Sequence, residues 1–467
     1  MPKNWKHNPM SLPSNWASAS ILTCGTFIRG VTYKKQEAST TIKPGYTRLL
    51  RANNISNRNI NTEEIVYVPL HNISETQILQ AGDILIATSS GSPSVVGKAA
   101  QLKNDTDMSF GAFCGVLRPY RNLNPEYIGH FFSSKQYRDR ISKLARGTNI
   151  NNIKQEHFES IKIPIAPINE QRRIADKLDR VLARVDAANE HLSRVAPLIK
   201  RFRQSVLEAA ISGRLTEDWR GAHNIGKNWL ETSLGAVITE MRNGISNKPD
   251  ENPLGYKILR ISAVRPFLLD TSDHRIISLD KETISLYSLQ KGDILFTRYN
   301  GSLEFVGACA VFLEDQDTFV YPDKLIRVRT DETKVLPQFL ALTCSSKPSR
   351  KQIEGFIKSS AGQKGVSGKD LKTVKLALPS IAEQSEIVRR VEKLFAFADH
   401  LEERLSQAQT ALQKLTPALL AKAFRGELVP QDPNDEPASE LLKRLQESRT
   451  ESAKPSRARK PRARKSS

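Results

Sequence analysis

The stretch Ile161–Leu192 reads IKIPIAPINEQRRIADKLDRVLARVDAANEHL, and Val374–Leu405 reads VKLALPSIAEQSEIVRRVEKLFAFADHLEERL. The two align without a gap, and the alignment runs on to Leu215 and Leu428. Each copy is a short apolar run, a proline and a Glu-Gln pair, followed by apolar residues at alternating spacings of four and three. Ile174, Leu178, Val181, Val185, Leu192 and Val195 carry the pattern in the first copy. Ile387, Val391, Leu394, Leu401, Leu405 and Leu412 carry it in the second. About five heptads of this kind mark a long helix with a coiled-coil seam. Each helix would be roughly 60 Å long at 1.5 Å per residue. Pro197 is expected to kink the first or break its ladder locally. Gly213 and Gly426 fall where helix C-caps belong. Equal length and register predict that the two helices pair with each other, antiparallel, within one chain.

The duplication extends outward from the helices. Leu79–Lys98, LQAGDILIATSSGSPSVVGK, is identical at half its positions to Leu289–Ala308, LQKGDILFTRYNGSLEFVGA. Asn15-Trp16 answers Asn228-Trp229, and LLRANNI (Leu49–Ile55) answers ILRISAV (Ile258–Val264). The Gly-rich run after GDILIAT is not a phosphate loop. Such a loop needs four residues between its first Gly and Gly-Lys-Ser/Thr, so that successive N–H groups converge on phosphate. Here Gly91 and Gly97 are separated by Ser92–Val96, Lys98 is followed by Ala99, and the twin has Ala308 in place of the lysine. The expected fold is therefore a duplicated mixed α/β (α+β) chain. Globular domains at 1–166 and 215–378 alternate with long helices at 167–214 and 379–428, followed by a basic, disordered tail at 429–467. Gly82–Thr88, Gly292–Arg298, Val116–Arg118, Leu325–Val328 and Ile161–Ile165 read as strands, and Tyr127–Leu144 and Leu336–Ile357 as helical.

The chain has 467 residues and a formal charge of +20, with a pI near 9.7. That balance points to a polyanionic partner, above all nucleic acid. The basic stretch Arg449–Ser467 supplies only part of the excess. Four cysteines with no C-x-x-C pair fit reduced thiols. No apolar leader opens MPKNWKHNPM and no run approaches a membrane span, so a cytoplasmic, membrane-free protein is expected.

Catalytic motifs are missing from the sequence. Methylation of an adenine amino group needs an Asn/Asp-Pro-Pro-aromatic loop, and Asn8-Pro9, Asn124-Pro125 and Asn252-Pro253 each lack the second proline. There is no G-x-G-x-x-G, no H-E-x-x-H and no metal-spaced Cys/His set. Pro322-Asp323 alone does not make a nuclease motif.

What recurs instead is a set of polar loops at matching places in the two halves. In the first half they hold Arg29, Thr32, Tyr33, Lys34 and Lys35; then Arg51, Asn53 and Asn54; then Ser89, Ser90, Gly91, Ser92 and Lys98; then Asn149 and Asn151. In the second they hold Arg242, Asn243, Asn247 and Lys248; then Arg260 and Ser262; then Arg298, Tyr299, Asn300, Gly301 and Ser302; then Lys324, Gln363 and Lys364. Arg and Asn make bidentate contacts to guanine and adenine edges, whereas Lys, Ser, Thr and backbone N–H groups hold phosphates. Any one loop could be an ordinary turn. Similar frames with different polar letters are what reading two different DNA half-sites requires.

The sequence resembles the specificity subunits of type I restriction–modification systems, most closely the K-like (type IA) group, over nearly its whole length. The resemblance rests on PINEQRRI (Pro167–Ile174), PSIAEQSEI (Pro379–Ile387), LIKRFRQSVLEAAISGRLT (Leu198–Thr216) and LLAKAFRGELV (Leu419–Val429). IRGVTYKK (Ile28–Lys35), SFGAFCGVLRP (Ser109–Pro119), TRYNGSLEFVG (Thr297–Gly307), YPDKLIR (Tyr321–Arg327) and SAGQKGVSGKDL (Ser360–Leu371) add to it. It implies a non-catalytic chain whose two domains each read half of an asymmetric, interrupted site in double-stranded DNA. It implies that the helices set the spacer and dock two modification subunits that methylate adenine N6, with two restriction (translocase/endonuclease) subunits completing the complex around one copy of this chain. It also implies that this chain binds no cofactor or metal, while its partners use S-adenosylmethionine, ATP and Mg. The competing readings are a coiled-coil scaffold with an incidental basic surface, which would show no salt-steep DNA binding, and a nuclease with an unrecognised motif, which would cut DNA alone with a metal ion.

Overall fold

A computed structural model describes residues 12–56, 58–146, 151–247, 255–360 and 363–452. The chain divides into two units, Met1–His191 with Ala408–Ser467, and Leu192–Gln407. The duplication read from sequence reappears as duplicated topology. In the first unit a four-stranded antiparallel sheet runs Gly25–Arg29, Cys114–Pro119, Ile84–Ala87, Ala99–Gln101. In the second the same order runs Ile238–Asn243, Leu325–Thr330, Ile294–Thr297, Cys309–Val311. A three-stranded sheet also repeats: Ser109–Phe110, Tyr46–Leu50, Val66–Pro69 in the first unit, and Phe319–Val320, Tyr256–Leu259, His274–Ile277 in the second. Both times the two-residue edge strand is parallel and the other pairing antiparallel. The apolar runs before the long helices form strands, Lys162–Ile165 on Ala17–Ser20 and Lys375–Leu378 on Leu230–Ser233.

Each segment expected as one helix after the sheet is two. Pro125–Phe132 and Lys135–Leu144 are separated by Ser133-Ser134, whose second Oγ accepts from the Tyr137 N–H (3.2 Å). Pro337–Cys344 and Lys347–Phe356 break at Ser345-Ser346, where the Ser346 hydroxyl donates to the Thr343 carbonyl (2.6 Å). Serine competes with the helix for backbone partners, so a serine pair restarts it.

The long helices span Ile168–Ile211 and Ile381–Ala423. Neither Pro197 nor Pro417 interrupts its helix, although each removes one ladder N–H. Within the first unit the start of one helix (Ile174, Leu178, Leu182) shares a core with the end of the other (Leu420, Ala423). Within the second unit the end of the first (Val206, Ala210) shares a core with the start of the second (Ile387, Val391). The pair is therefore antiparallel. Ile199, Ala398 and Leu405 form a further buried cluster with Leu192, Val195, Phe202 and Leu401 at its edge. Of the expected seam, Val185 is buried, and Leu394 and Leu412 are half-buried. Val181 is also only half-buried, with Leu182 in its place in the core. A straight helix against a globular core follows 3.6 residues per turn and drifts off a strict heptad. Gly213 and Gly426, both at φ 76°, terminate the helices in the left-handed conformation that glycine adopts without strain.

The segment from 429 is not a disordered tail where the structure describes it. Ala438–Ser452 is a helix whose Ala438, Leu441 and Leu445 are buried in the first unit's core. The Ala438 N–H donates to the Asn15 carbonyl (2.9 Å), and Arg173 binds Asp435 (2.6 Å). Its apolar residues recur at helical spacing among many polar ones, so composition hid the stripe. Residues 453–467 lie outside the described residues. Among the described residues no helix is long and apolar enough to cross a membrane. The four cysteines are buried and unpaired, and burial pushes the Cys24 and Cys114 thiols up to about 12.

Candidate nucleic-acid interface

The repeated Gly-Asp turn is structural. Gly82 and Gly292 sit at φ 84° and 95°. The next residues, Asp83 and Asp293, are buried, and each carboxylate accepts from the backbone N–H three residues earlier, at Gln80 (2.9 Å) and Gln290 (2.8 Å). An arginine from the neighbouring strand completes each turn. Arg118 donates twice to Asp83 (2.8 and 2.7 Å), and Arg329 twice to Asp293 (2.8 and 3.3 Å). Hydrogen bonding to those carboxylates raises both guanidinium pKa values. The turn thus carries its own anion and aims the strand that follows at the next loop.

In the second unit that loop opens onto a cleft of about 580 Å³. Nine residues expected from sequence line it: Asn247, Arg260, Ser262, Tyr299, Asn300, Gly301, Ser302, Lys324 and Gln363. They come from separate segments brought together by strand pairing. Tyr299 and Asn300 lie opposite Gly365 and Lys364. The Tyr299 ring rests on Gly365, where a Cβ would fall 2.3 Å from it, and it is flanked by Arg298 (4.8 Å) and Lys324 (5.3 Å). Arg260 reaches Asp273 (3.3 Å), and the Ser262 hydroxyl bonds the same carboxylate. Arg265, Arg275 and Phe305 also line the cleft and were not anticipated. Arg275 arrives because its strand places it opposite Ile258. Arg265 stacks on Phe305 at 4.6 Å. Nothing local marks either arginine, since only the non-local pairing puts them there. A cleft with four cations, side-chain amides and aromatic rings suits a polyanion carrying planar bases.

Other expected residues in this unit stand elsewhere. Arg242 is bound to Glu240 (2.7 Å) and sits over the Tyr287 ring (5.9 Å), so its charge is engaged within the fold. Burial favours the neutral Glu240 carboxyl, but Arg242, Arg327 and Arg329 outweigh it and hold its pKa low. Asn243 is exposed at a strand end, and Lys364 is half-buried in the strand beside Asn300. Lys248 lies outside the described residues.

In the first unit Arg29, Thr32, Lys34, Lys35, Asn53, Gly91 and Ser92 are exposed, while Ser89, Ser90 and Lys98 are half-buried. Tyr33 packs partly against the cluster of Val31, Leu49, Val66 and Val68. Arg51 is half-buried, with its Nε shielded and without a hydrogen-bond partner. Asn54 and Asn151 correct the sequence reading, because both are buried. Asn54 donates to the carbonyls of Asn61 (2.8 Å) and Glu64 (3.0 Å) and accepts from the Arg51 N–H (2.8 Å). Asn151 donates to the carbonyls of Ser90 (3.3 Å) and Gly91 (3.4 Å). These side chains brace loops, and Asn54 has both its amide donor and its acceptor filled. Asn149 lies outside the described residues. Among the described residues no cluster of His, Cys, Asp and Glu could hold a metal ion.

The sequence profile of the "Type I restriction modification DNA specificity domain" matches twice, at residues 13–195 and 227–409. The chain is 46% identical over 421 residues to the type I restriction enzyme EcoKI specificity subunit of Escherichia coli K12, covering 90% of each. It is 42% identical over 424 residues to the type I restriction enzyme StySPI specificity subunit of Salmonella potsdam, covering 91% of each. Its backbone resembles a chain solved in work on complex assembly and conformational transition of the type I R-M system (TM-score 0.63, 18% identity, 90% of this chain and 100% of that one). It also resembles the HsdS subunit from Thermoanaerobacter tengcongensis (TM-score 0.54, 18% identity, 90% and 99%). At such identity the structural likeness speaks for the fold alone.

Proposed function

The chain belongs to the type I restriction modification DNA specificity family, and from that premise we propose how its residues divide the work. It is the DNA-recognition component of a restriction–modification complex and leaves the chemistry to other subunits. Each unit reads one half of a bipartite, asymmetric site in double-stranded DNA through the major groove. The observation that carries this is the cleft of the second unit, where Arg260, Asn300, Lys324 and Gln363 stand together on a frame that the first unit repeats with different polar letters. Arginine matches guanine O6/N7 and Asn or Gln matches adenine N6/N7, while lysine holds phosphate. Tyr299 and Phe305 offer flat apolar surface beside them.

The paired long helices, of 44 and 43 residues, set the spacer between half-sites and dock two modification subunits. Those subunits flip and methylate adenine at N6 with S-adenosylmethionine. Two restriction subunits, driven by ATP and Mg, join through them, around one copy of this chain in the cytoplasm. This chain itself holds no cofactor.

The test is base-resolution mapping of N6-methyladenine in cells that co-express the chain with a matching modification subunit. The expected outcome is an interrupted two-part motif that disappears when this chain is omitted. A stable complex that adds no methylation would refute the assignment of the reading loops. Failure to form a complex would favour a scaffold role.

A further inference from the structure

We propose that Arg350 and Arg138 are positioning residues for DNA reading, each locking the main chain of one recognition loop, and that in the second unit the lock extends to Arg265 and presents it in the cleft. The proposal rests on the reading role above. In the second unit the loop after the strand Ile294–Thr297 passes through Asn300–Ser302, returns through Phe305 and ends at Gly307. Arg350, on the helix Lys347–Phe356, donates Nη1 to the Val306 carbonyl (2.7 Å) and Nη2 to the Glu304 carbonyl (3.2 Å). It therefore grips the chain on both sides of Phe305. The Phe305 ring carries the Arg265 guanidinium at 4.6 Å, and both residues line the cleft. Arg265 also donates to the Val264 carbonyl (3.0 Å) and is joined to no carboxylate among the described residues, whereas Arg260 is engaged by Asp273.

The first unit repeats the grip. Arg138, on the helix Lys135–Leu144, donates Nη1 to the Val96 carbonyl (2.9 Å) and Nη2 to the Ser94 carbonyl (3.1 Å). In both units the loop closes on a positive-φ glycine, Gly97 or Gly307, seated against an isoleucine one helical turn after the arginine, Ile141 or Ile353. Within the gripped stretch Ser94-Val95 stands against Glu304-Phe305 while Val96 matches Val306, and the bonded carbonyls occupy the same positions in both units. A planar guanidinium fork matched to two carbonyls holds the pose whatever the side chains are. Such a grip lets the loop letters diverge toward different bases while the loop stays in place.

The test uses the assembled complex with its modification subunits. Methylation motifs and competitive binding of half-site variants are measured for wild type, R350A, R350K, R138A and R265A, with thermal melting alongside. R350A should lower base discrimination at one half-site by about tenfold and leave the other intact, and R138A should do the same at the opposite half. R265A should relax the R350A half without lowering the melting temperature. R350K, which keeps the charge but loses the fork, should fall between wild type and R350A. Lower melting with unchanged discrimination in R350A and R350K would reduce the arginine to a structural residue and overturn the proposal. Equal losses at both halves would overturn it as well. If the wild-type complex read no two-part site, the reading role itself would fall, and the positioning role with it.

Discussion

Trp16 and Glu170, 154 residues apart, are joined by a buried 2.9 Å hydrogen bond from the indole Nε1 to Oε2, and Trp229 and Glu383 repeat the bond at the same separation at 3.2 Å. Each bond ties the residue before a strand, Ala17–Ser20 or Leu230–Ser233, to the opening turn of a long helix. The second carboxylate oxygen finds a partner that lies beyond a long helix. Gln431 donates to Glu170 (2.6 Å), and Thr216 donates to Glu383 (2.8 Å) beside Arg220. The adjacent glutamines do the same for the loop ahead, Gln171 accepting from the Asn124 N–H (3.1 Å) and Gln384 from the Leu336 N–H (2.9 Å). The Glu-Gln signature is thus a joint, and it explains why residues after 429 belong to the first unit.

Because Leu441 and Leu445 complete the core at that joint, truncation should act in a stepwise manner. A chain ending after Ser452, which keeps the whole helix Ala438–Ser452, is the reference. Ending it after Val429, or introducing Leu445→Asp, should destabilise the first unit, with a buried leucine worth roughly 2–5 kcal/mol. Thermal melting with limited proteolysis of the two units checks it, and equal stability of all three chains would refute it.

Asn54 and Asn151 should behave as braces. Asn54→Ala removes the buried amide that bonds the carbonyls of Asn61 and Glu64, costing about 0.5–1.5 kcal/mol for each hydrogen bond lost. Urea unfolding should register the loss while the methylation motif keeps its letters. A changed motif would return Asn54 to the reading set.

Lys324 and Gln363 should separate phosphate from base contacts in the cleft. Lys324→Ala should weaken cognate and unrelated DNA alike and flatten the slope of log K against log salt by about 0.9. Gln363→Ala should cost about 1–3 kcal/mol on cognate DNA only. Salt titrations on both DNAs measure this, and a sequence-selective effect at Lys324 would reverse its role.

Gly307→Ala places a Cβ 2.5 Å from Ile353 Cγ2 at a φ of 70°. The backbone strain alone should cost roughly 1–3 kcal/mol. Adding Ile353→Ala should remove the clash and leave the strain, so the double variant should lose less than the two single losses summed. Strict additivity in denaturant melts would show that the contact is not made.

Acid stability should depend on Glu386. Arg389 and Arg390 hold its carboxyl down at about 2, below its ordinary value. A depressed carboxyl contributes stability that is present above its unfolded pKa and is lost as pH falls through the folded one. Glu386→Gln should therefore melt below wild type at neutral pH, with the gap closing between the usual glutamate range and about pH 2. Arg390 also grips Asp218 (2.6 and 3.0 Å) and the Leu215 carbonyl (2.8 Å), so the variant should loosen the segment after the first long helix. A gap that stayed constant with pH would mean the pair adds no charge-dependent stability.

What the sequence determined by itself was the periodic and the duplicated. Apolar spacing marked both long helices, glycines marked their ends, and the twin stretches marked a repeated frame, because these signals lie within a few residues of one another or recur unchanged. Even so, the choice between Val181 and Leu182, and the stripe of Ala438, Leu441 and Leu445, depended on which surface each helix met. The polar loops were legible as loops but not by role. Asn53 and Asn54 are neighbours of one residue type, and one is exposed while the other is buried. Asn151 was spent on the loop it was expected to help read, and Arg242 on Glu240. Arg265 and Arg275, unmarked in the sequence, stood in the cleft. The physical reason is that a polar side chain's role depends on whether the fold has already filled its hydrogen bonds and charge. Those partners, Glu64 for Asn54, Ser90 for Asn151 and Phe305 for Arg265, stand elsewhere in the chain, 10 residues away for Asn54 and 61 for Asn151, and only the folded chain brings them together.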